Sequence, residues 1–477
     1  MVQVGDNIAS IALRTMKLAN VARLAARHHR CMRRLSSKEF DFTVDRTGLG
    51  KVGYESSPSA VQAPETPLGL ELGSQILARG PLSVYEYMRQ CLLHPRHGYY
   101  ARSGAERNFG AGGDFVTAPE LSQLFGELVG VWFVSEWVRL GEPEKVRLVE
   151  VGPGRGTLLG DVLRATAAWP KFRRAASDVR LVEPSASLRL AQRRTLGARP
   201  ATHAQKPDAE TPVTWALDGF GDFGTRATWH ESLDEVDDDG VATLLVGQEV
   251  LDAFPAYQFV KTDNGWREKL VDLADAGPDR FRFVLAPSPT PASRALAAAD
   301  APSLATKDGE AETLEVAPGA LAFVDAVAAK VAKAGGAALF VDYGYARGQR
   351  GDTLRGFRRH AQVSPLREPG LVDLTVDADF GACGDRAAAV DGAAAFGAVD
   401  QGEWLQRMGI VPRLEALLNL DDITESQVED LISACERLLD PEQMGERYKV
   451  LAVVDAGAAE PPAGFVPGDR VPAPPPT

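Results

Sequence analysis

Leu148-Val149-Glu150-Val151-Gly152-Pro153-Gly154-Arg155-Gly156-Thr157 is the stretch whose reading decides the fold. Val146, Leu148, Val149 and Val151 carry strand propensity around Arg147 and Glu150, so the segment reads as a buried strand. Gly152, Gly154 and Gly156 then permit a sharp turn and a close approach that a Cβ would block. From Thr157 onward, Leu158, Leu159, Val162 and Leu163 recur at helical spacing. Strand, glycine turn and helix in this order let a nucleotide-like cofactor lie on bare backbone at the carboxyl end of a parallel strand, with a plain tight strand-to-helix turn as the alternative. Pro153 is unusual for a dinucleotide fingerprint, and no Lys-Ser or Lys-Thr pair follows, which disfavours a phosphate-cradling P-loop.

Asp178-Val179-Arg180-Leu181-Val182-Glu183-Pro184 reads as the next strand and ends in an acid, with Glu183 lying 33 positions after Glu150. That distance accommodates strand, helix and strand. In Rossmann-like folds a carboxylate there accepts hydrogen bonds from ribose hydroxyls, which fits NAD and S-adenosylmethionine alike. An ordinary solvated acid at a strand end is the plainer alternative.

Further stretches flank the glycine turn in a fixed order. His94-Pro95-Arg96-His97-Gly98-Tyr99-Tyr100 and Gly113-Asp114-Phe115-Val116-Thr117-Ala118-Pro119-Glu120 precede it. Val246-Gly247-Gln248-Glu249-Val250-Leu251-Asp252-Ala253-Phe254-Pro255, Asp342-Tyr343-Gly344, Arg355-Gly356-Phe357 and Met444-Gly445-Glu446-Arg447-Tyr448 follow it. With the segments at 80–88, 265–268 and 373–380, this series resembles the MidA family of mitochondrial methyltransferases, assembly factors for respiratory complex I. The resemblance covers most of residues 78–455. It implies a Rossmann-like α/β methyltransferase fold with S-adenosyl-L-methionine as cofactor. It also implies an arginine acceptor on a core hydrophilic subunit of complex I, near the quinone site, with symmetric dimethylarginine as the product.

Methyl transfer from a sulfonium needs donor and acceptor held close, oriented and away from water, rather than a metal. Arginine adds one difficulty, because its guanidinium stays protonated. Carboxylates can hold it through forked hydrogen bonds and concentrate electron density on the attacking nitrogen. Glu249 and Asp252 are the carboxylates expected to act here. They follow the apolar strand Thr243-Leu244-Leu245-Val246 at its ligand-binding end, and a helical start would turn both the same way. Acids favourable to a helix dipole are the alternative reading. The family usually has His-Glu-Phe where this chain has Gln248-Glu249-Val250, so any role that needs imidazole is in doubt while amide hydrogen bonding survives. The cofactor-binding set is Gly152, Pro153, Gly154, Gly156 and Glu183, with Asp114 and Thr117 in a loop expected to close over the ligand. That loop reads equally as a plain junction in which Thr117 caps the next helix.

Composition narrows the remaining classes. Hydrophobic content of 45% with 25% charged residues is ordinary for a globular chain, and a net charge of −13 does not suggest a nucleic-acid partner. The charge is uneven: residues 1–38 carry +7, with Arg23, Arg27, Arg30 and Arg34 on one helical face, leaving −20 for the rest. An arginine-rich, acid-poor start reads as a mitochondrial transit peptide, with the matrix as destination and a basic disordered arm as the alternative. No apolar run approaches a membrane span. Cys31, Cys91, Cys383 and Cys435 form no paired motif, and His94, His97, His230 and His360 lack metal-ligand spacing, so neither a disulfide framework nor a metal is expected.

The expected organisation is a linker over 39–75, an N-terminal helical cap over 76–145, a methyltransferase domain over 146–455 and a disordered Pro-rich tail over 456–477. Strands are expected at 146–151, 179–183, 243–248 and 337–342, with a hairpin at 266–273 and 281–287. Helices are expected at 82–93, 119–139, 157–168, 185–194 and 318–333. The stretches 200–240, 274–314 and 381–400 read as insertions or low-complexity loops. Two other functions compete. A methyltransferase-like assembly factor without turnover would bind its client by shape. An NAD-dependent oxidoreductase fits the glycine turn poorly and lacks a plausible hydride-transfer acid.

Overall fold

The computed structural model describes residues 64–101, 117–200, 213–275, 277, 279–297, 305–306, 309–310, 313–347, 352–457 and 460–473. The transit-peptide reading, most of the expected linker, and Asp114 lie outside these residues.

The main helices are α1 (Pro67–Arg79), α2 (Val84–Leu93), α3 (Gln123–Arg139), α4 (Thr157–Thr166), α5 (Ala186–Thr195), α6 (Pro318–Ala334), α7 (Phe380–Ala389), α8 (Gln401–Arg407), α9 (Ile410–Leu418) and α10 (Glu425–Leu439). The central strands are β1 (Arg147–Val151), β2 (Asp178–Val182), β3 (Arg226–His230) and β4 (Thr243–Gln248). Next come β5 (Tyr257–Thr262), β6 (Gly265–Leu273), β7 (Phe281–Leu285), β8 (Thr313–Val316) and β9 (Gly336–Tyr345). The last are β10 (Arg355–Arg358), β11 (Ala361–Val363), β12 (Asp373–Thr375), β13 (Ala393–Asp400) and β14 (Tyr448–Asp455).

The central sheet runs β13-β14-β9-β4-β1-β2-β3, and two short strands extend it beyond β3. Strands β3, β2, β1, β4 and β9 are parallel neighbours, whereas β14 runs antiparallel to both β9 and β13. Burial alternates residue by residue. Leu148, Leu244, Val246 and Leu339 face the core shared with α3, α4 and α8–α10, while Val149, Leu245, Ala338 and Phe340 face α6 and α7. Burial on both faces explains why these strands read as continuous apolar runs. The connection order reverses between β1 and β4, which opens a crevice at their carboxyl ends. In register, Val151 sits opposite both Val182 and Gly247, so Gly152, Glu183 and Gln248 emerge at one level.

A second layer closes over that crevice. Strands β6, β5 and β8 form an antiparallel sheet, with β7 and Leu82–Ser83 also paired to β6. Strand β10 pairs with β11 and β12 nearby. α1 and α2 cover this layer through Leu68, Leu72, Tyr87, Met88 and Cys91, packed with Val271, Phe281 and Leu374.

Several sequence expectations need correction. The linker stops short of 75, because Thr66 caps α1 through its side chain and the helix begins at Pro67. The helices at 84–93 and 123–139 do not form one cap: α2 belongs to the second layer, whereas α3 packs on α4 against the central sheet. The stretch 200–240 contains β3, and 381–400 contains most of α7 and all of β13. Alanines that look like low complexity are strand residues there, buried against β14. Nor is the tail disordered over 460–473. Phe465 and Val471 are buried, and the Val471 N–H donates to Ala395 O on the sheet-edge strand β13.

Candidate active site

Backbone geometry comes first. Gly152, Gly154 and Gly156 have φ of 62°, 52° and 87°, all in the left-handed region that a side chain disfavours. A Cβ on Gly152 would also sit 2.9 Å from Val250 Cγ2. Gly152, Pro153 and Gly154 line a cavity of about 980 Å³, together with Thr117, Glu183, Glu249 and Asp252. Gly156 does not face that cavity. It is the N-cap of α4, with its Cα side turned to Gln192, and so shapes the turn without forming its wall.

Glu183 is buried at the tip of β2. Its Oε1 accepts from Ser185 N at 2.8 Å and its Oε2 from Gln192 Nε2 at 3.2 Å. Two acceptor positions remain for ligand hydroxyls. Burial raises its pKa to about 7, against the Ser185 and Gln192 hydrogen bonds that lower it. Gln192 also donates to Gly154 O at 2.9 Å and accepts from Trp229 Nε1 at 2.8 Å. One amide therefore locks the glycine turn to the acid. Motif reading missed it, although a visible signal existed: Gln192 is polar on the α5 face that Leu188 and Ala191 bury.

Another part of the cavity wall is a cluster of acids and phenols. Residues 249–252 form a turn rather than a helical start, and Glu249 takes φ 52°. Asp342, 1% exposed, anchors this turn: its Oδ2 accepts from Leu251 N at 2.8 Å and Asp252 N at 3.2 Å. Asp252 Oδ2 accepts from Thr375 Oγ1 at 2.7 Å and from the Tyr343 hydroxyl. Glu249 Oε1 accepts from Gln248 Nε2 at 3.1 Å and Tyr448 OH at 3.3 Å. Burial and then the Asp252 charge lift the Glu249 pKa to about 8. Asp252 is also raised by burial, although hydrogen bonds from Tyr343 and Thr375 and the Arg355 charge oppose this. Sequence reasoning missed Thr375 and Arg355, which reach the pocket only through the second layer.

Thr117 lines the cavity and precedes a short helical turn, yet its side chain makes no capping hydrogen bond. The segment is tied instead by Glu120, whose Oε1 accepts from Thr157 Oγ1 at 2.7 Å at the start of α4. His94 and His97 both contact Glu71, at 3.2 and 3.5 Å, and stack on each other away from the acidic wall. Among the described residues, no group of three or more His, Cys, Asp or Glu side chains is arranged to hold a metal, and no helix is long and apolar enough to cross a membrane.

Residues 128–399 match the family described as "putative S-adenosyl-L-methionine-dependent methyltransferase". The chain belongs to this methyltransferase family. It is 38% identical over 385 residues to the zebrafish (Danio rerio) mitochondrial protein arginine methyltransferase NDUFAF7, covering 80% of this chain and 86% of the relative. The human protein of that name is 36% identical over 406 residues, covering 84% and 86%. A crystal structure of a Burkholderia thailandensis protein bound to S-adenosyl-homocysteine superposes with a TM-score of 0.68 at 30% identity, over 86% of this chain and 99% of that one.

The cofactor is S-adenosyl-L-methionine, and the residues present suit it. Gly152 and Gly154 line the cavity without side chains, and Glu183 keeps acceptor positions of the kind that ribose hydroxyls need. Glu150, buried below the turn, lines the same cavity with an Oε2 that has no partner among the described residues. Burial lifts its pKa to about 8.

Proposed function

We propose that this chain is a mitochondrial protein-arginine N-methyltransferase, resident in the matrix, that forms symmetric dimethylarginine on a core hydrophilic subunit of respiratory complex I and so supports its assembly. One observation carries the reading. Glu249 and Asp252 stand together on the wall of the cavity that the glycine turn also lines, each fixed by hydroxyl or amide donors. The names of the relatives, protein arginine methyltransferases of mitochondria, agree with it.

When bound, the cofactor supplies an electrophilic methyl group on sulfur. Gly152, Pro153 and Gly154 give it a bare backbone surface, Glu183 anchors its sugar, and Thr117 closes one side. Glu249 and Asp252 accept N–H bonds from the substrate guanidinium, which aims one nitrogen along the line of transfer. As the new carbon–nitrogen bond forms, the methyl–sulfur bond would break, leaving S-adenosyl-homocysteine, and that nitrogen would release a proton. The Glu249 carboxylate takes it, and burial favours its protonated form. Gln248 replaces the family's imidazole as a donor to Glu249.

The test is direct. The protein is incubated with methyl-labelled S-adenosyl-L-methionine and the isolated complex I core subunit, and the product is hydrolysed and its arginine derivatives separated. Label in symmetric dimethylarginine is the expected result. Cofactor binding without transfer would overturn the reading and leave a client-binding assembly factor.

A further inference from the structure

The roof of the acidic wall carries a cation that the scheme above leaves unused. Arg355 opens β10 and lines the cavity. Its guanidinium carbon lies 5.2 Å from the centre of the Tyr343 ring, and its Nη2 donates to Asp377. Its Nε is buried with no partner among the described residues. The hydroxyl of the same Tyr343 donates to Asp252 and also contacts Thr375. A cation on the face of a phenol is held by the ring quadrupole and makes the hydroxyl a stronger donor. Arg355, Tyr343 and Asp252 thus form a chain that runs from the second layer to the central sheet.

We propose that Arg355 is a positioning residue for methyl transfer: stacked on Tyr343, it fixes the phenol that donates to Asp252, so that this carboxylate meets an incoming guanidinium as an oriented anion. The inference rests on the arginine acceptor proposed above. Groups facing Asp252 come from several elements. Glu249 lies on its own turn, Asp342 and Tyr343 on β9, Tyr448 on β14, Arg355 on β10, and Tyr100 on the loop after α2. Burial pushes Asp252 toward its neutral form, whereas hydrogen bonds from Tyr343 and Thr375 and the Arg355 charge oppose this; the Asp252 charge in turn raises Glu249 and Asp342. A neutral Asp252 would lose its charge-assisted hold on the substrate. Arg355 therefore acts through its neighbours and need not touch the acceptor.

Three variants test this. Arg355→Gln removes the cation while keeping hydrogen-bonding capacity, Arg355→Lys keeps a point charge, and Asp252→Asn identifies the Asp252 signal. Two readouts are taken for each: single-turnover methyl transfer from pH 6 to 9, and carbon-13 carboxyl resonances of labelled aspartate in cofactor-free protein. In Arg355→Gln the acidic limb of the rate profile and the Asp252 titration should both move upward by at least about one pH unit, with S-adenosyl-homocysteine affinity unchanged. Arg355→Lys should restore much of that shift. A uniformly lower rate with the limb and the resonance unmoved would reduce Arg355 to a structural role and overturn the proposal. If the wild-type protein labels no arginine, the acceptor reading fails on its own. The carboxyl titration still decides whether Arg355 controls Asp252.

Discussion

Gly154 shows what a single residue decides at this site. Its φ of 52° puts a β-branched side chain in a region it rarely enters, at a cost of about 1–2 kcal/mol. Gly154→Val should therefore leave a folded but weakened protein that gives no S-adenosyl-L-methionine heat in a calorimetric titration; wild-type affinity would show that the cofactor lies elsewhere. Such glycines are legible because the turn itself demands them. Gln192 and Arg355 were not legible, since their partners come from distant elements and no local spacing marks them. Glu249 separates chemistry from binding. Glu249→Gln should retain cofactor and lose roughly two orders of magnitude in single-turnover rate, the scale of a lost general base. The same change tests its ionisation. Between its ordinary value of 4.5 and about 8, the empty folded site holds a proton that the unfolded chain releases. Raising the pH through this window therefore drains stability from the wild type. Glu249→Gln should remove that part of the decline, so its melting temperature should fall less than the wild type's between pH 6 and 8.5.

At the level of elements, legibility followed side-chain type. β1, β4 and β9 are runs of valine, leucine and phenylalanine and announce themselves as strands buried on both faces. β13 contains Ala393, Ala394 and Ala395, whose weak strand propensity hides an edge strand held by its ladder to β14. The segment after residue 460 was hidden in the same way, because prolines suggested disorder while its anchors are long-range. Phe465 lies edge-on to Phe396 at 6.5 Å, the Ala463 N–H donates to Glu136 Oε1 at 2.9 Å, and Arg407 contacts Gly464 O and Asp469. This strap covers an edge that would otherwise present unpaired backbone. Phe465→Ala should cost about 3 kcal/mol in urea unfolding, the range for a buried aromatic, and leave cofactor affinity intact because the strap lies away from the cavity lining. A midpoint unchanged from wild type would mean that the strap is not bound to the sheet in solution.

Across the whole molecule, the cavity belongs to neither layer alone. Its walls run from Leu93 to Tyr448 in sequence, with Gly152, Glu183 and Glu249 from the central sheet and Tyr100, Phe357 and Asp373 from the layer above. The Rossmann-like half was readable because strand, turn and helix follow one another locally. The upper half was readable only as a hairpin and a family likeness, since its sheets join segments far apart in the chain. The layers are joined at the site itself, where the Val376 N–H donates to Asp252 O at 3.2 Å and Thr375 and Tyr343 converge on the Asp252 carboxylate. A ligand seated between them should stabilise both. At a hundred times its dissociation constant, S-adenosyl-homocysteine adds about 2.7 kcal/mol to the folded state, or a melting shift of about 3 °C for a chain of this size. Scanning calorimetry should show one transition that moves as a whole with ligand. Hydrogen exchange should slow in β10–β12 as well as in the glycine turn. Protection confined to the glycine turn, with a second transition left unmoved, would mean that the upper layer folds independently and that the acidic wall is not assembled by cofactor binding.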